Sequence, residues 1–106
     1  MLVTTLNEVP AHKIVQILGI VRGNTVRARH MGNDIMASLR GIVGGEITEY
    51  TKLLSEAREQ SADRMADHAD ELGADAIVGV RFTTSTVAQG SAEILAYGTA
   101  VKLKVM

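Results

Sequence analysis

Gly44-Gly45-Glu46-Ile47-Thr48-Glu49-Tyr50-Thr51-Lys52-Leu53-Leu54 opens an amphipathic run that continues without Pro or Gly to Leu72, stops at Gly73, and passes straight into Ala74-Asp75-Ala76-Ile77-Val78-Gly79-Val80-Arg81-Phe82. Ile47, Tyr50, Leu54, Ala57, Ser61, Met65, Ala69 and Leu72 recur at steps of three or four, which is one face of a helix. Glu46 and Glu49 fall in its expected first turn, where the helix dipole favours acids, and Gly73 suits the left-handed residue that ends a helix. A helix delivered onto a buried strand through so short a connection specifies a small α+β fold. It names no reaction.

Before this unit, Leu2 to Thr5 reads as a short strand and Asn7 to Pro10 as a turn. Lys13 to Arg22 reads as a second strand. Gly23-Asn24 is a tight-turn signal expected to fold Thr25 to Arg29 back as a short ribbon. Asn33 or Asp34 can cap a brief helix over Ile35 to Arg40. After the long helix, Ala76 to Ser85 and Glu93 to Val105 read as strands joined by a hairpin at Ala88-Gln89-Gly90-Ser91. An antiparallel sheet packed by one long helix plus a short one is the expectation, in a single domain over residues 1–106.

Both faces of that sheet read as apolar. In the last strand Leu95, Tyr97, Val101, Leu103 and Val105 share one face, and Ile94, Ala96, Gly98 and Ala100 the other. In the second strand Ile14, Leu18 and Ile20 oppose Val15, Ile17 and Val21. One helix covers one face, so a homo-oligomer that buries the second is expected.

The net charge of −1 gives no bulk attraction to nucleic acid or anionic membrane. The charge is uneven: +3 over residues 1–45, −6 over 46–75 and +2 over 76–106, so the long helix is the acidic element. There is no cysteine, hence no disulfide and no thiolate metal site. The first residues lack the basic and apolar regions of a secretory leader, and no apolar run approaches membrane-spanning length. A cytoplasmic protein is expected. Tyr50, Phe82 and Tyr97 are the only aromatics, so aliphatic side chains must fill the core.

Arg22-Gly23-Asn24-Thr25-Val26-Arg27-Ala28-Arg29-His30, Gly44 to Thr51, Leu54 to Glu59 and Leu72 to Arg81 together resemble the YbjQ-like family, small bacterial and archaeal proteins labelled as heavy-metal-binding domains. The resemblance covers essentially the whole chain. It implies a dodecin-like β-α-β-β core, two layers deep, with short extra strands that assemble subunits into a ring, a pentamer. It brings no established activity. Lacking cysteine, the chain departs from the label's soft-metal chemistry.

Two residue sets have metal-like chemistry. His30, Met31 and Met36 offer imidazole and thioether for a soft ion, against which stands their use as core filler. Asp63, Asp67 and Glu71, at four-residue steps and with His68 beside them, offer oxygen and nitrogen ligands for a divalent ion, against which stands a solvated helix face. Gly41 to Gly45 resembles an anion cradle, but no Lys-Ser/Thr follows and Glu46 and Glu49 would repel phosphate. Gly44 and Gly45 fit better as points of close approach to a ring neighbour. Arg22, Arg27 and Arg29 form a basic patch with no stacking aromatic, better suited to pairing with a neighbouring acidic helix than to nucleic acid. No nucleophile, base and orienting acid are brought together by the sequence, and a non-enzymatic binding module or an interaction scaffold is expected.

Overall fold

A computed structural model describes residues 1–28, 42–43 and 46–106, with the side chains of 42–43 and 46–50 left aside. The elements run β1 (Leu2–Val3), β2 (His12–Ala28), β3 (Ile42–Val43), β4 (Glu46–Ile47), α1 (Thr48–Glu71), β5 (Ala76–Ala88) and β6 (Ser91–Val105). The main sheet has the order β1-β5-β6-β2. β5 and β2 each pair antiparallel with β6, while β1 joins β5 in parallel. The sheet is therefore mixed, a correction to the wholly antiparallel sheet expected. The predicted short helix over Ile35 to Arg40 lies outside the described residues.

Two local expectations give way. Gly23-Asn24 makes no turn: β2 runs through it for 17 residues, in unbroken register from Ile20↔Thr99 to Ala28↔Ser91. The glycine is there for contact. A Cβ on Gly23 would fall inside the Ser61 carbonyl oxygen and the Met65 amide nitrogen, and 2.7 Å from Arg64 Cβ. Only a residue without a side chain lets α1 lie this close to the sheet. The helix also starts later than expected. Glu46 and Ile47 pair with Val43 and Ile42 as a second, two-stranded sheet, so neither sits in the first helical turn.

The other end of α1 behaves as read. The Gly73 N–H donates to the Asp70 carbonyl (3.0 Å) and the Ala74 N–H to the Ala69 carbonyl (3.1 Å), with Gly73 at φ 76°. This double closure around a left-handed glycine is a Schellman motif, and Ala74 packs on the cluster that contains Ala69. The chain then enters β5 two residues later.

Ala57, Ser61, Met65 and Ala69 are the buried stripe of α1, at a strict step of four. They pack over β2 and β6, and Val21 of β2, Ile77 and Val80 of β5, and Ala96 and Ala100 of β6 complete the core. Small residues dominate, so Met65 is the largest fully buried side chain among the described residues. Within it the Ser61 hydroxyl donates to the Ile94 carbonyl (2.9 Å) and lies 2.9 Å from Thr25 Oγ1, so both buried hydroxyls are satisfied.

The far face of the sheet is covered at one end. Val9, in the loop after β1, seals Ala76, Val78 and Val101, with Ile14 and Leu103 packed at the margin. Beyond that the chain supplies no cover among the described residues. Register shifts between Ile14 and Gln16 and between Ile17 and Gly19 break the simple alternation expected of β2. The molecule is long: 56 × 25 × 16 Å, with a radius of gyration of 17.4 Å, against about 13 Å for a compact chain of this length.

Asp75 ties the helix exit to β6. Its Oδ2 accepts the Leu103 N–H at 2.8 Å, and Lys102 Nζ lies 3.4 Å from Oδ1 while donating to the Gly73 carbonyl at 2.9 Å. The Leu103 hydrogen bond, more than Lys102, holds the Asp75 carboxyl below its ordinary pKa. A carboxyl depressed in the folded state stabilises the fold above its unfolded pKa, and that contribution is lost as pH falls through the folded value. Asp75→Asn lacks that contribution at every pH, so its stability should fall less steeply than wild type's on acidification and the gap between the two should narrow toward low pH. Identical shapes of the two stability–pH curves in thermal melts would refute this.

Candidate functional site

Asp63, Asp67 and Glu71 lie exposed along α1. A rise of 1.5 Å per residue spreads the three over about 12 Å, whereas oxygen ligands sit about 2.3–2.6 Å from calcium, so one ion cannot hold all of them. His68 turns toward the sheet, where its Nδ1 accepts the Arg22 N–H at 3.4 Å. Among the described residues no three His, Asp or Glu side chains come together in a way that could hold a metal ion. The second candidate set, His30, Met31 and Met36, lies outside the described residues. What is described does not fit a metal centre within one chain.

The basic patch is divided. Arg27 reaches its own helix, donating to Gln60 Oε1 at 2.8 Å, and Arg22 is exposed on the far face. Arg29, Gly44 and Gly45 lie outside the described residues, and the side chains of Glu46 and Glu49 are not described. Arg64, from the acidic helix, donates to the Asn24 carbonyl and so ties α1 to β2 from its own side.

What the structure adds is a set of open surfaces. Among the described residues a trough of ≈ 510 Å³ lies between the loop Leu6 to His12 and Met106. His12 and Glu8 are the titratable side chains in its lining, and His12 Nδ1 lies 2.8 Å from the Pro10 carbonyl, which accepts its hydrogen bond in the Nδ1–H tautomer. On the far face, past the Val9 cover, Ile17 (71% exposed), Ile20 (72%), Val26 (55%) and Tyr97 (39%) stand in the open. On the helix side α1 covers β6 and β2 and leaves the end of β5 bare. There Phe82, half exposed, floors a groove of ≈ 430 Å³ walled by Ser55, Arg58, Glu59 and Ala62. Sequence reading passed over Phe82. Its signal was present, since the only phenylalanine opens a run of Thr, Ser, Val and Ala with no charge.

The described helix is not long and apolar enough to cross a membrane. The class is thus a small α+β protein, a mixed four-stranded sheet with one long helix on one face. The chain belongs to the YbjQ family, whose model, described as "Putative heavy-metal-binding", matches residues 1–104. A UPF0145 protein of Thermus thermophilus is 54% identical over 103 residues, covering 97% of this chain and 90% of that one. A UPF0145 protein of Archaeoglobus fulgidus is 56% identical over 103 residues, covering 97% and 95%. The crystal structure of a DUF74-family protein from Pediococcus pentosaceus superposes with a TM-score of 0.62 over 98% of each chain, at 19% identity, a likeness of fold.

Proposed function

We propose that this chain is a non-enzymatic, cytoplasmic assembly module whose working form is a homo-oligomeric ring, a pentamer on the dodecin-like plan, with any ligand held between copies. The observation that carries the reading is the far face of the sheet, where Ile17, Ile20, Val26 and Tyr97 stand exposed among the described residues. Apolar area of this kind is favourably removed from water when neighbouring copies cover it, at about 25 cal/mol per Å².

The family's heavy-metal description comes to this chain as a ligand shared across a seam, because the described residues of one copy bring no such set together. Two measurements test the reading. Light scattering of untagged protein at micromolar concentration should give a mass several times 11.3 kDa, and a monomer would end the proposal. Elemental analysis of the same sample decides between its two forms. A stoichiometric metal per ring supports a shared site, and its absence after purification without chelators supports a scaffold that presents repeated surfaces to a partner.

A further inference from the structure

The far face brings together three residues that lie far apart in the sequence. Arg22 of β2 stands opposite Tyr97 of β6, and Tyr97 stands opposite Arg81 of β5. Residues directly opposite one another in antiparallel strands share a face, so the three form one row across the sheet. Arg22 and Arg81 are exposed and Tyr97 is 39% exposed. Neighbouring Cα atoms in such a row are about 4.5–5.5 Å apart, which sets the two arginines about 10 Å apart with the phenol between them. Arg22 has no aromatic near it in the chain; the sheet supplies one.

The row depends on a bulge. The register of β5 on β6 shifts between Val78, opposite Thr99, and Arg81, opposite Tyr97. Val78 packs on the far face with Val9, and Val80 packs in the helix-side core. Simple alternation from Val78 would give Val80 the far face and Arg81 the helix side, and the extra residue exchanges them. Arg81 is then held in place: its Nη1 donates to the Thr5 carbonyl at 3.1 Å and to the Val80 carbonyl at 2.8 Å. Neither arginine enters an ion pair among the described residues, where Lys102 with Asp75 is the one found. The rows on either side hold Ile20 and Thr99, then Asn24, Leu95 and Thr83, with no carboxylate. Glu93 lies one row further along β6 and accepts from Asn24 Nδ2 at 3.3 Å.

Two uncompensated guanidinium groups on either side of an aromatic ring fit a ligand that is planar at one end and anionic at the other. We propose that this row binds a nucleoside phosphate, with the base stacked on Tyr97 and the phosphate on the forks of Arg22 and Arg81. Guanidinium forks match phosphate oxygens in pairs, and every base offers a π-face to a tyrosine. The proposal takes from the reading above only its place, the far face that neighbouring copies close over. The occupant is a free nucleotide, not a strand of nucleic acid, because the net charge is −1 and α1 lies in a stretch of −6.

Calorimetry of the untagged protein with AMP, GMP, CMP and UMP should show saturable binding of at least one. The matching nucleoside and inorganic phosphate should each bind at least about tenfold more weakly, since each keeps half of the contacts. Tyr97→Leu and Arg22→Gln should each weaken the nucleotide about tenfold or more, and Tyr97→Phe, which keeps the ring, less than about threefold. The Arg22 side chain makes no hydrogen bond among the described residues, so Arg22→Gln should keep the wild-type circular dichroism and melting temperature. Any one of three results overturns the row: no heat with all four nucleotides at millimolar concentration, phosphate or nucleoside bound as tightly as the nucleotide, or wild-type binding by Tyr97→Leu and Arg22→Gln. An oligothymidylate bound at least about tenfold more tightly than UMP at physiological salt also overturns it, by making the occupant a single strand. Light scattering of the same sample keeps the two readings apart. An oligomer that binds no nucleotide overturns the row and leaves the ring, and a monomer that binds one overturns the ring and leaves the row.

Discussion

Gly23→Ala should cost about 3 kcal/mol or more and lower the melting temperature by at least about 12 °C at fixed protein concentration. The added carbon meets the Ser61 carbonyl oxygen and the Met65 amide nitrogen, both backbone atoms inside α1, so no rotamer change relieves it. Either the helix lifts from β2 or the strand bends away, and each opens the contact that buries Ser61, Met65 and Val21. A domain of this length has about 5–15 kcal/mol of stability in total, so the change removes a large share. Gly73→Ala, where there is open space but a φ of 76°, serves as the contrast: it strains one residue without separating two layers. A Gly23→Ala protein that melts within a few degrees of wild type would show that the helix does not sit as described.

Met65→Ala should cost about 3 kcal/mol, within the 2–5 kcal/mol usual for emptying a buried aliphatic site. The side chain is fully enclosed, and its neighbours Ala69, Ala96 and Ala100 are too short to collapse into the space it leaves. In a core this poor in aromatics one flexible thioether supplies volume that a phenylalanine would supply elsewhere. Met65→Leu keeps that volume and should cost less than about 1.5 kcal/mol. Chemical denaturation of both variants measures the difference, and equal midpoints would mean that shape, not volume, governs the site.

The two glycines show what the sequence made legible. Gly73 could be read because its task is local: an amphipathic stripe ends, a residue with positive φ is needed, and the next residues are apolar and β-branched. Gly23 misled because its task is tertiary. Gly-Asn satisfies the chemistry of a two-residue turn, and nothing within ten residues says that a helix made 40 residues later will press on that point. The parallel addition of β1 was hidden for the same reason, since two residues carry no periodicity. The β5–β6 hairpin was legible from Gln89-Gly90, with Gly90 at φ 74°. The candidate sites were less so. Four-residue spacing placed Asp63, Asp67 and Glu71 correctly on one exposed helical line, but spacing along a helix carries no information about whether an ion can bridge it. The bare end of β5 was visible only as an uncharged threonine-rich run, and its exposure depends on how much width one helix covers.

The order of the sheet has a consequence for how the molecule comes into being. β6 stands between β5 and β2, and it is made after both of them. Until its residues emerge during synthesis, β2 has no partner strand, and α1 has no complete platform to settle on. Chain elongation at about 5–20 residues per second thus leaves the earlier segments waiting for several seconds, a window in which a nascent β2 is open to capture by chaperones or by its own kind.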